Sequence, residues 1–234
     1  MAEKAVSRST LSRQVYQYLR RGIILQETPQ LYMGQKLNEV ELARMLGCST
    51  TPVREAINML RQEKLIVSTA FHCSSVVSFQ EEDIKNLMYV RKSLELAGLR
   101  QAFERITEED VKELERIVEN YRQAYERIDV EMVSYHNKIF HNLILQRSQN
   151  SILLEMIESI SDRSDMIRAP MVHHQKRVNT GLRAVAVGEH EALLEAIRRR
   201  DLAAAERCLG AHIDRMCRDV LKFYEEHQAD LMGA

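Results

Sequence analysis

The stretch LNEVELARMLGCSTTPVREAINMLRQEKL, residues 37–65, decides the fold of the N-terminal part of this chain. Asn38 is a favourable N-cap for a first helix, and Gly47 suits the left-handed position that ends a helix. Pro52 falls in the first turn of a second helix, where its missing N–H is tolerated. The stretch therefore predicts two short helices joined by a tight turn.

Two helices joined in this way form a helix-turn-helix, whose second helix enters the DNA major groove by its N-terminal residues. Hydroxyl groups at that position suit phosphate oxygens, and a guanidinium can bridge two phosphate oxygens or a guanine edge. An ordinary helical hairpin inside an all-α core would show the same pattern, so the pattern alone leaves both interpretations open. The candidate DNA-binding residues are Ser49, Thr50, Thr51 and Arg54.

Composition and charge narrow the class of protein. The 234 residues allow one large or two ordinary domains, and the low content of Gly (8) and Pro (3) favours helices over a turn-rich β fold. Residues 1–78 carry ten Lys or Arg against six Asp or Glu, whereas the remainder carries 23 against 28. A basic first segment suits nucleic acid, and an acidic second segment does not.

Cysteine usage and hydropathy predict a cytoplasmic protein. The four cysteines have no CxxC spacing, which is typical of free thiols in a reducing compartment. The N-terminus lacks the apolar run of a signal peptide, and no segment approaches the ~18 uninterrupted apolar residues of a membrane span. We therefore expect no membrane partner.

Apolar periodicity predicts the N-terminal domain. Residues 10–25 carry apolar side chains on one helical face, and β-rich runs at 65–68 and 75–79 can pair as a hairpin after the second helix. We expect a disordered tail over 1–9 and a winged helix-turn-helix with a small β-hairpin wing over 10–78.

The rest of the chain predicts an all-α domain over 79–230, so the fold class is mainly α. Ser78-Phe-Gln-Glu81 and Thr107-Glu-Glu-Asp110 fit capping boxes, and Asp129 can cap a further helix. A bend or loop is expected at 170–179. The helices are expected at 82–105, 107–128, 130–147, 151–168, 180–199 and 201–227.

Two sets of motifs resemble known families. Gly34-Gln-Lys-Leu-Asn-Glu-Val-Glu-Leu-Ala, followed by Leu46-Gly-Cys-Ser-Thr-Thr-Pro-Val-Arg-Glu-Ala, resembles the winged-helix domain of the GntR family of bacterial transcription regulators. The later motifs resemble the FCD domain, the effector-binding and dimerisation domain of the FadR-type subgroup. They are Tyr89-Val-Arg-Lys-Ser-Leu-Glu95, Phe140-His141, Glu189-His190 and Ala211-His212-Ile213.

The GntR resemblance implies a homodimer that binds a pseudo-palindromic double-stranded DNA operator, with one recognition helix per half-site. It assigns a DNA contact to Arg54. The family usually has Arg where this chain has Thr50, and a glycine at the wing tip, which Ala70–Ser75 lacks.

Three of the eight histidines lie on inward faces of predicted helices, namely His141, His190 and His212. His141 follows Asn137 by four residues, so both side chains project from one face of a helix. Buried imidazoles are costly without partners, and one divalent metal would satisfy all three together. The alternative is three separate histidines, each hydrogen-bonded to backbone or a carboxylate.

The FCD resemblance implies a metal held by one Asp and three His, and Asn137 occupies the Asp position of this chain. It therefore implies one divalent transition metal per chain on Asn137, His141, His190 and His212. Imidazole preference favours zinc, with nickel or another transition ion as alternatives. Because the Asn137 amide is uncharged, the site would be more positive than the Asp version, which favours a small carboxylate effector.

Arg91 lies in the Arg-x-x-Leu-Glu part of the first FCD-like motif, with Glu95 four residues later. One interpretation is an intrahelical ion pair worth only ~0.3–0.5 kcal/mol. The other is an effector-binding cation in a cavity.

The leading functional hypothesis is a DNA-binding repressor whose operator affinity is controlled by an organic acid at the metal site. An alternative is a regulator with a purely structural metal, controlled by another ligand or partner. A metal-dependent helical-bundle enzyme is disfavoured because the chain has no Glu-x-x-His pair, Gly-rich phosphate loop, GxSxG or HExxH motif.

Overall fold

The computed structural model of the chain describes residues 11–68, 73–127, 129–177 and 182–227. The predicted tail over 1–9 lies outside these described residues, as do residues 69–72 at the expected wing tip. The chain divides into two compact units, residues 1–78 and 79–234. Within the described ranges it forms nine α-helices and one three-stranded sheet, so the predicted mainly α fold is confirmed.

The first unit contains three helices, α1 (Leu11–Leu25), α2 (Glu39–Met45) and α3 (Thr50–Gln62). The Asn38 side chain accepts hydrogen bonds from the backbone N–H groups of Val40 and Glu41, at 3.0 and 3.2 Å. Gly47 has a φ of +63°, so it occupies the left-handed position predicted for it. Local capping and turn chemistry therefore build the helix-turn-helix.

A small apolar core holds α1 against α3. Their facing side chains lie at helical spacing and are completely buried, which fixes the second helix of the helix-turn-helix by packing rather than by intrinsic propensity. These side chains are Leu19 and Ile23 from α1, and Val53, Ala56, Ile57 and Leu60 from α3.

The wing contains one strand more than the sequence predicted. Strand β2 (Ile66–Ser68) pairs antiparallel with β3 (Ser74–Val76), and β3 pairs on its other side with β1 (Lys36–Leu37). A strand of two residues is too short to show an alternating pattern, so no periodic signal in the sequence indicates β1. The predicted second run was too long, since β3 ends at Val76 rather than at residue 79.

The second unit is entirely helical within its described residues. A large core that includes Phe140 joins α5, α6, α8 and α9, and a smaller cluster that includes Met88, Ile167 and Val220 joins α4, α7 and α9. The helices are α4 (Glu81–Ala102), α5 (Glu108–Arg127), α6 (Val130–Gln146), α7 (Ser151–Arg177), α8 (Leu182–Arg198) and α9 (Leu202–Glu226).

The expected capping box at Ser78 and Glu81 is wrong by two residues. Helix α4 has Gln80 as its N-cap, and the Asp83 carboxylate accepts a hydrogen bond from the Gln80 backbone N–H at 2.9 Å. Phe79 packs partly buried against the cluster around Met88 and Val220, which keeps the preceding chain extended. A tertiary contact therefore sets where this helix begins.

The expected bend at 170–179 is also wrong over the described residues, because α7 continues through Pro170 to Arg177. A proline inside a helix costs about 3 kcal/mol, since it removes one backbone hydrogen bond. Met171 and Val172 follow Pro170 directly and are both buried in the two cores of the unit. Their burial offsets the cost of the proline and keeps the chain helical.

None of the described helices combines the length and the apolar composition that a membrane crossing requires. Two other predicted caps are confirmed. Asp129 caps α6 by accepting a backbone N–H, and Thr107 with Asp110 forms the reciprocal capping box of α5. Asp201, for which no cap was predicted from the sequence, caps α9 in the same way as Asp129 caps α6. Arg147 at the end of α6 donates to the Asp110 carboxylate at 2.6 Å.

We expect Asp110→Asn to destabilise the protein in a pH-dependent way. Burial by itself raises the pKa of Asp110, but hydrogen bonds from Arg147 and Thr107 outweigh it and lower that pKa. A lowered folded-state pKa gives stability that is present above the unfolded pKa of ~3.9 and is lost as pH falls through the folded pKa. Urea denaturation should show a loss of about 1–2 kcal/mol in unfolding free energy at neutral pH, shrinking in acid.

The matched control is Asp83→Asn, which changes the equivalent position of α4. The Asp83 carboxylate caps its helix without an arginine partner among the described contacts, so the loss should be smaller. Equal losses in the two variants, or a loss at Asp110 that does not vary with pH, would contradict this account.

Candidate functional site

Three histidines from three different helices meet inside the second unit. His141 lies on α6, His190 on α8 and His212 on α9, and each is at most 5% exposed. The closest pair of rings, His190 and His212, has centroids 4.7 Å apart, and the His141 ring lies 5.3 Å from that of His212. One ligand atom from each histidine lies within 4.8 Å of those of the other two.

The Nδ1 atom of each imidazole is occupied by a hydrogen bond. Nδ1 of His141 lies 2.7 Å from the Glu95 carboxylate, and Nδ1 of His212 lies 2.8 Å from the Glu189 carboxylate. Nδ1 of His190 lies 2.8 Å from the carbonyl oxygen of Ala186. Because all three partners are acceptors, each Nδ1 carries a proton, and in a neutral imidazole Nε2 then presents a lone pair.

The Nε2 atoms of the three histidines are buried and have no hydrogen-bond partner among the described residues. The side-chain oxygen of Asn137, one turn before His141 on α6, is buried and unpartnered in the same way. Four acceptors without a donor are energetically costly in a protein interior. A bound cation would give all four acceptor atoms a partner, so the residues present fit a transition-metal ion.

Burial favours the neutral form of two of the three imidazoles, those of His190 and His212. Burial, reinforced by the neighbouring His212 and His141, lowers the pKa of His190 well below its usual value. Burial also lowers the pKa of His212 to about 4, although Glu189 acts in the opposite direction. Neutral imidazoles are the form that binds metals, because protonation removes the lone pair.

The two carboxylates that hold the histidines are themselves held by arginines. Arg91 Nε donates to Glu95 at 2.6 Å, and Arg215 Nη2 donates to Glu189 at 2.6 Å. Burial alone raises the pKa of Glu95, but His141 and Arg91 outweigh it and place that pKa well below its usual range. Two Arg–Glu–His chains of contacts therefore fix the orientation of two imidazoles, those of His141 and His212.

The sequence identified the four candidate ligands but missed the roles of Glu95 and Glu189. Glu189 lies next to His190 in sequence, yet it contacts His212 across helices, which no local spacing reveals. For Arg91 the structure shows the ion pair of the first interpretation. Arg91 forms the intrahelical pair with Glu95, but the pair is buried and lines a cavity together with Asn137 and His141.

The candidate DNA-binding residues lie together at the start of α3 in the first unit. Ser49 is the N-cap of the helix, Thr50 and Thr51 begin its first turn, and Arg54 follows on the second. The Arg54 side chain is 63% exposed, and its guanidinium contacts the Glu39 carboxylate of α2 at 3.0 Å. The four side chains form one polar end of the helix.

A winged helix-turn-helix and an all-helical unit with a buried histidine triad define a class of ligand-responsive DNA-binding proteins. Residues 11–70 match the sequence profile of the "Bacterial regulatory proteins, gntR family", and residues 86–215 match that of the FCD domain. The chain therefore belongs to the GntR family of transcription regulators and carries an FCD effector-binding domain. It is a DNA-binding regulator and not an enzyme.

Individual relatives agree with this assignment. The transcriptional regulator McbR of Escherichia coli is 29% identical over 178 residues, which are 76% of this chain and 79% of that protein. The transcriptional repressor RspR of E. coli is 26% identical over 217 residues, which are 93% and 92% of the two chains. The solved structure of E. coli McbR/YncC superposes on this chain with a TM-score of 0.73 at 27% sequence identity. The match covers 92% of this chain and 99% of that one.

We expect Glu189→Gln to weaken metal binding without removing a ligand. The substitution takes away the negative charge that holds Nδ1–H of His212, and outer partners of this kind are worth about 10–100-fold in metal affinity. Competition with a chromophoric chelator would measure the zinc affinity of the metal-free protein.

Glu191→Gln is the matched control, because Glu191 lies two residues away on the same helix and pairs with Arg122 rather than with a histidine. Its zinc affinity should equal that of the wild type. An unchanged affinity in Glu189→Gln would show that the carboxylate does not support the site.

Proposed function

We propose that this protein is a transcriptional repressor that binds a pseudo-palindromic operator as a C2 homodimer in the cytoplasm. A small organic acid, bound at a metal site in the FCD domain, controls its operator affinity. The observation that carries the metal site is the set of buried acceptors that have no donor, namely Nε2 of His141, His190 and His212 and the side-chain oxygen of Asn137.

We assign one divalent metal per chain to these four side chains, with zinc favoured by the three imidazoles and nickel as an alternative. When bound, the metal supplies two positive charges and an open position for an oxygen ligand. The chain's own contribution is to hold three neutral imidazoles in a fixed tautomer, through Glu95, Glu189 and the carbonyl of Ala186.

The choice of an acid as effector follows from charge. The four ligands are all neutral, so nothing in direct contact with the metal would balance its charge in a buried site. Glu95 and Glu189 carry negative charge, but each is shared with an arginine. The carboxylate of an acid would supply the negative charge that an Asp at position 137 would otherwise give. The site therefore favours anions over neutral ligands.

Control of DNA binding requires the acid to prefer one arrangement of the dimer over the other. The ligands come from α6, α8 and α9, so binding at the site constrains three helices of the domain together. A repressor role is supported by the relative RspR, which is named as a repressor. Water, hydroxide or a buffer anion could fill the site without switching, and the acid's effect on operator affinity distinguishes these cases.

We expect Arg54→Ala to weaken operator binding by about 1–3 kcal/mol, because a guanidinium that reads a guanine edge contributes this much. Fluorescence anisotropy with operator DNA at fixed salt would measure the loss. Arg21→Ala removes the same charge from α1, where Arg21 pairs with Glu27, and should have a small effect. Equal binding by Arg54→Ala and the wild type would rule out Arg54 as a base contact.

We expect Asn137→Asp to uncouple metal binding from the acid. In the wild type, propionate should raise zinc affinity, within the ordinary coupling range of about 5–150-fold. An aspartate at position 137 supplies the missing negative charge, so zinc should bind more tightly alone and propionate should add little. Zinc titrations with and without propionate would measure both effects.

The control for Asn137→Asp is Asn86→Asp, which adds the same charge at an exposed position of α4. It should behave as the wild type does. An acid effect that is equally large in Asn137→Asp, or acids that stabilise metal-free protein equally well, would refute the metal-linked acid site.

A further inference from the structure

We infer that the effector is a monocarboxylate rather than a di- or tricarboxylate, because both cations lining the effector cavity in the described residues already pair with carboxylates of the protein. This inference rests on the proposed acid-binding function and names the class of acid.

The cavity adjoins the histidine triad and lies among α4, α6 and α7. Two of the four proposed metal ligands, Asn137 and His141, line it, so an acid in this cavity would lie beside them. Its charged lining consists of two cations, Arg91 and Lys138, and two carboxylates, Glu95 and Asp165. Whether these charges are already paired within the protein decides how many negative groups an effector can carry.

The charge of Arg91 is already paired with that of Glu95. Its Nε lies 2.6 Å from one carboxylate oxygen of Glu95, and the other oxygen lies 2.7 Å from Nδ1 of His141. Both members of the ion pair are buried. Moving the guanidinium toward an effector would leave the Glu95 charge unpaired in the interior and would disturb the orientation of His141.

The other charges of the lining are also paired. Lys138 Nζ lies 3.3 Å from Oδ1 of Asp162, and Oδ1 of Asp165 lies 3.1 Å from Nη2 of the buried Arg168. Arg168 also donates to the hydroxyl of Ser134 at 3.3 Å. Each cation therefore has an anionic partner, and each carboxylate that lines the cavity has a cationic one.

A second carboxylate on the effector would lose its water without gaining a cation. It would also face Glu95 and Asp165, whose negative charges repel it across a medium of low dielectric constant. The first carboxylate has no such difficulty, because the metal charge balances it. The remaining lining offers an apolar wall of Leu145, Ile157 and Ile160 and hydrogen-bonding groups on Asn142 and Ser161.

The apolar wall suits a short aliphatic chain, and Asn142 and Ser161 suit a hydroxyl group on it. Calorimetric titration of the zinc-loaded full-length protein should test the class, with propionate and 2-hydroxypropionate as monocarboxylates and malonate and succinate as dicarboxylates at equal ionic strength. We expect the monocarboxylates to bind at least about tenfold more tightly. Zinc content measured after each titration shows whether an acid has removed the metal.

Two variants test the charge argument directly. Asp162→Asn removes the partner of Lys138, and Asp165→Asn removes one of the two carboxylates that repel a second negative group, so each should shift the ratio of succinate to propionate affinity toward succinate by about tenfold. Asp162 does not line the cavity, so propionate binding should survive that change even if Asp165→Asn folds poorly. The control is Asp214→Asn, which breaks a surface pair with Lys92 and should leave the ratio unchanged.

The inference is overturned if succinate binds the wild type as tightly as propionate with zinc retained, or if Asp162→Asn leaves the ratio unchanged. Dicarboxylates that bind more tightly and alter operator affinity would overturn it while leaving the proposed function intact. If neither class of acid binds the zinc-loaded protein, the proposed function fails, and this inference fails with it.

Discussion

The hydrogen bond at Nδ1 of each buried histidine is the interaction on which the candidate site depends. An imidazole has two nitrogens, and fixing the proton on one of them fixes the lone pair on the other. In this chain the acceptors at Nδ1 come from α4 for His141 and from α8 for both His190 and His212. Four helices therefore cooperate to aim three lone pairs at one another.

This arrangement explains why so much charge is buried in a small domain. Glu95 would be very costly in the interior as an isolated carboxylate, and Arg91 and His141 together make it tolerable. The same reasoning applies less strongly to Glu189, which is partly exposed and is held by Arg215 and His212. The outer charges are neutralised in pairs, which leaves the centre of the site without a compensating anion.

The sequence predicted those parts of the structure that depend on residues three or four positions apart. The caps at Asn38, Thr107 and Asp129 involve only such contacts, and each is present. The same holds for Asn137 and His141, which share one face of α6 with their acceptors buried. Turn chemistry and helical periodicity act locally, so they can be read along the chain.

The errors occurred where distant packing overrides local preference. Pro170 usually ends a helix, but buried neighbours on its C-terminal side keep α7 continuous. Ser78 is a good cap by type, yet the contacts of Phe79 move the helix start to Glu81. The partners of His212 and His141 are likewise set by helix packing. Sequence could name the imidazoles that converge but not the carboxylates that orient them.

The ion pair between Arg54 and Glu39 has a consequence for how the protein responds to ionic strength. A free arginine that approaches DNA displaces condensed counterions, and this release makes binding fall steeply as salt rises. In the proposed complex with DNA, Arg54 would approach together with a carboxylate from α2, so the pair would be nearly neutral and would displace few counterions in net. The contribution of Arg54 to binding would therefore depend on hydrogen-bond geometry more than on net charge, and discrimination between operator and other DNA at this position would persist when salt weakens the general attraction to the duplex.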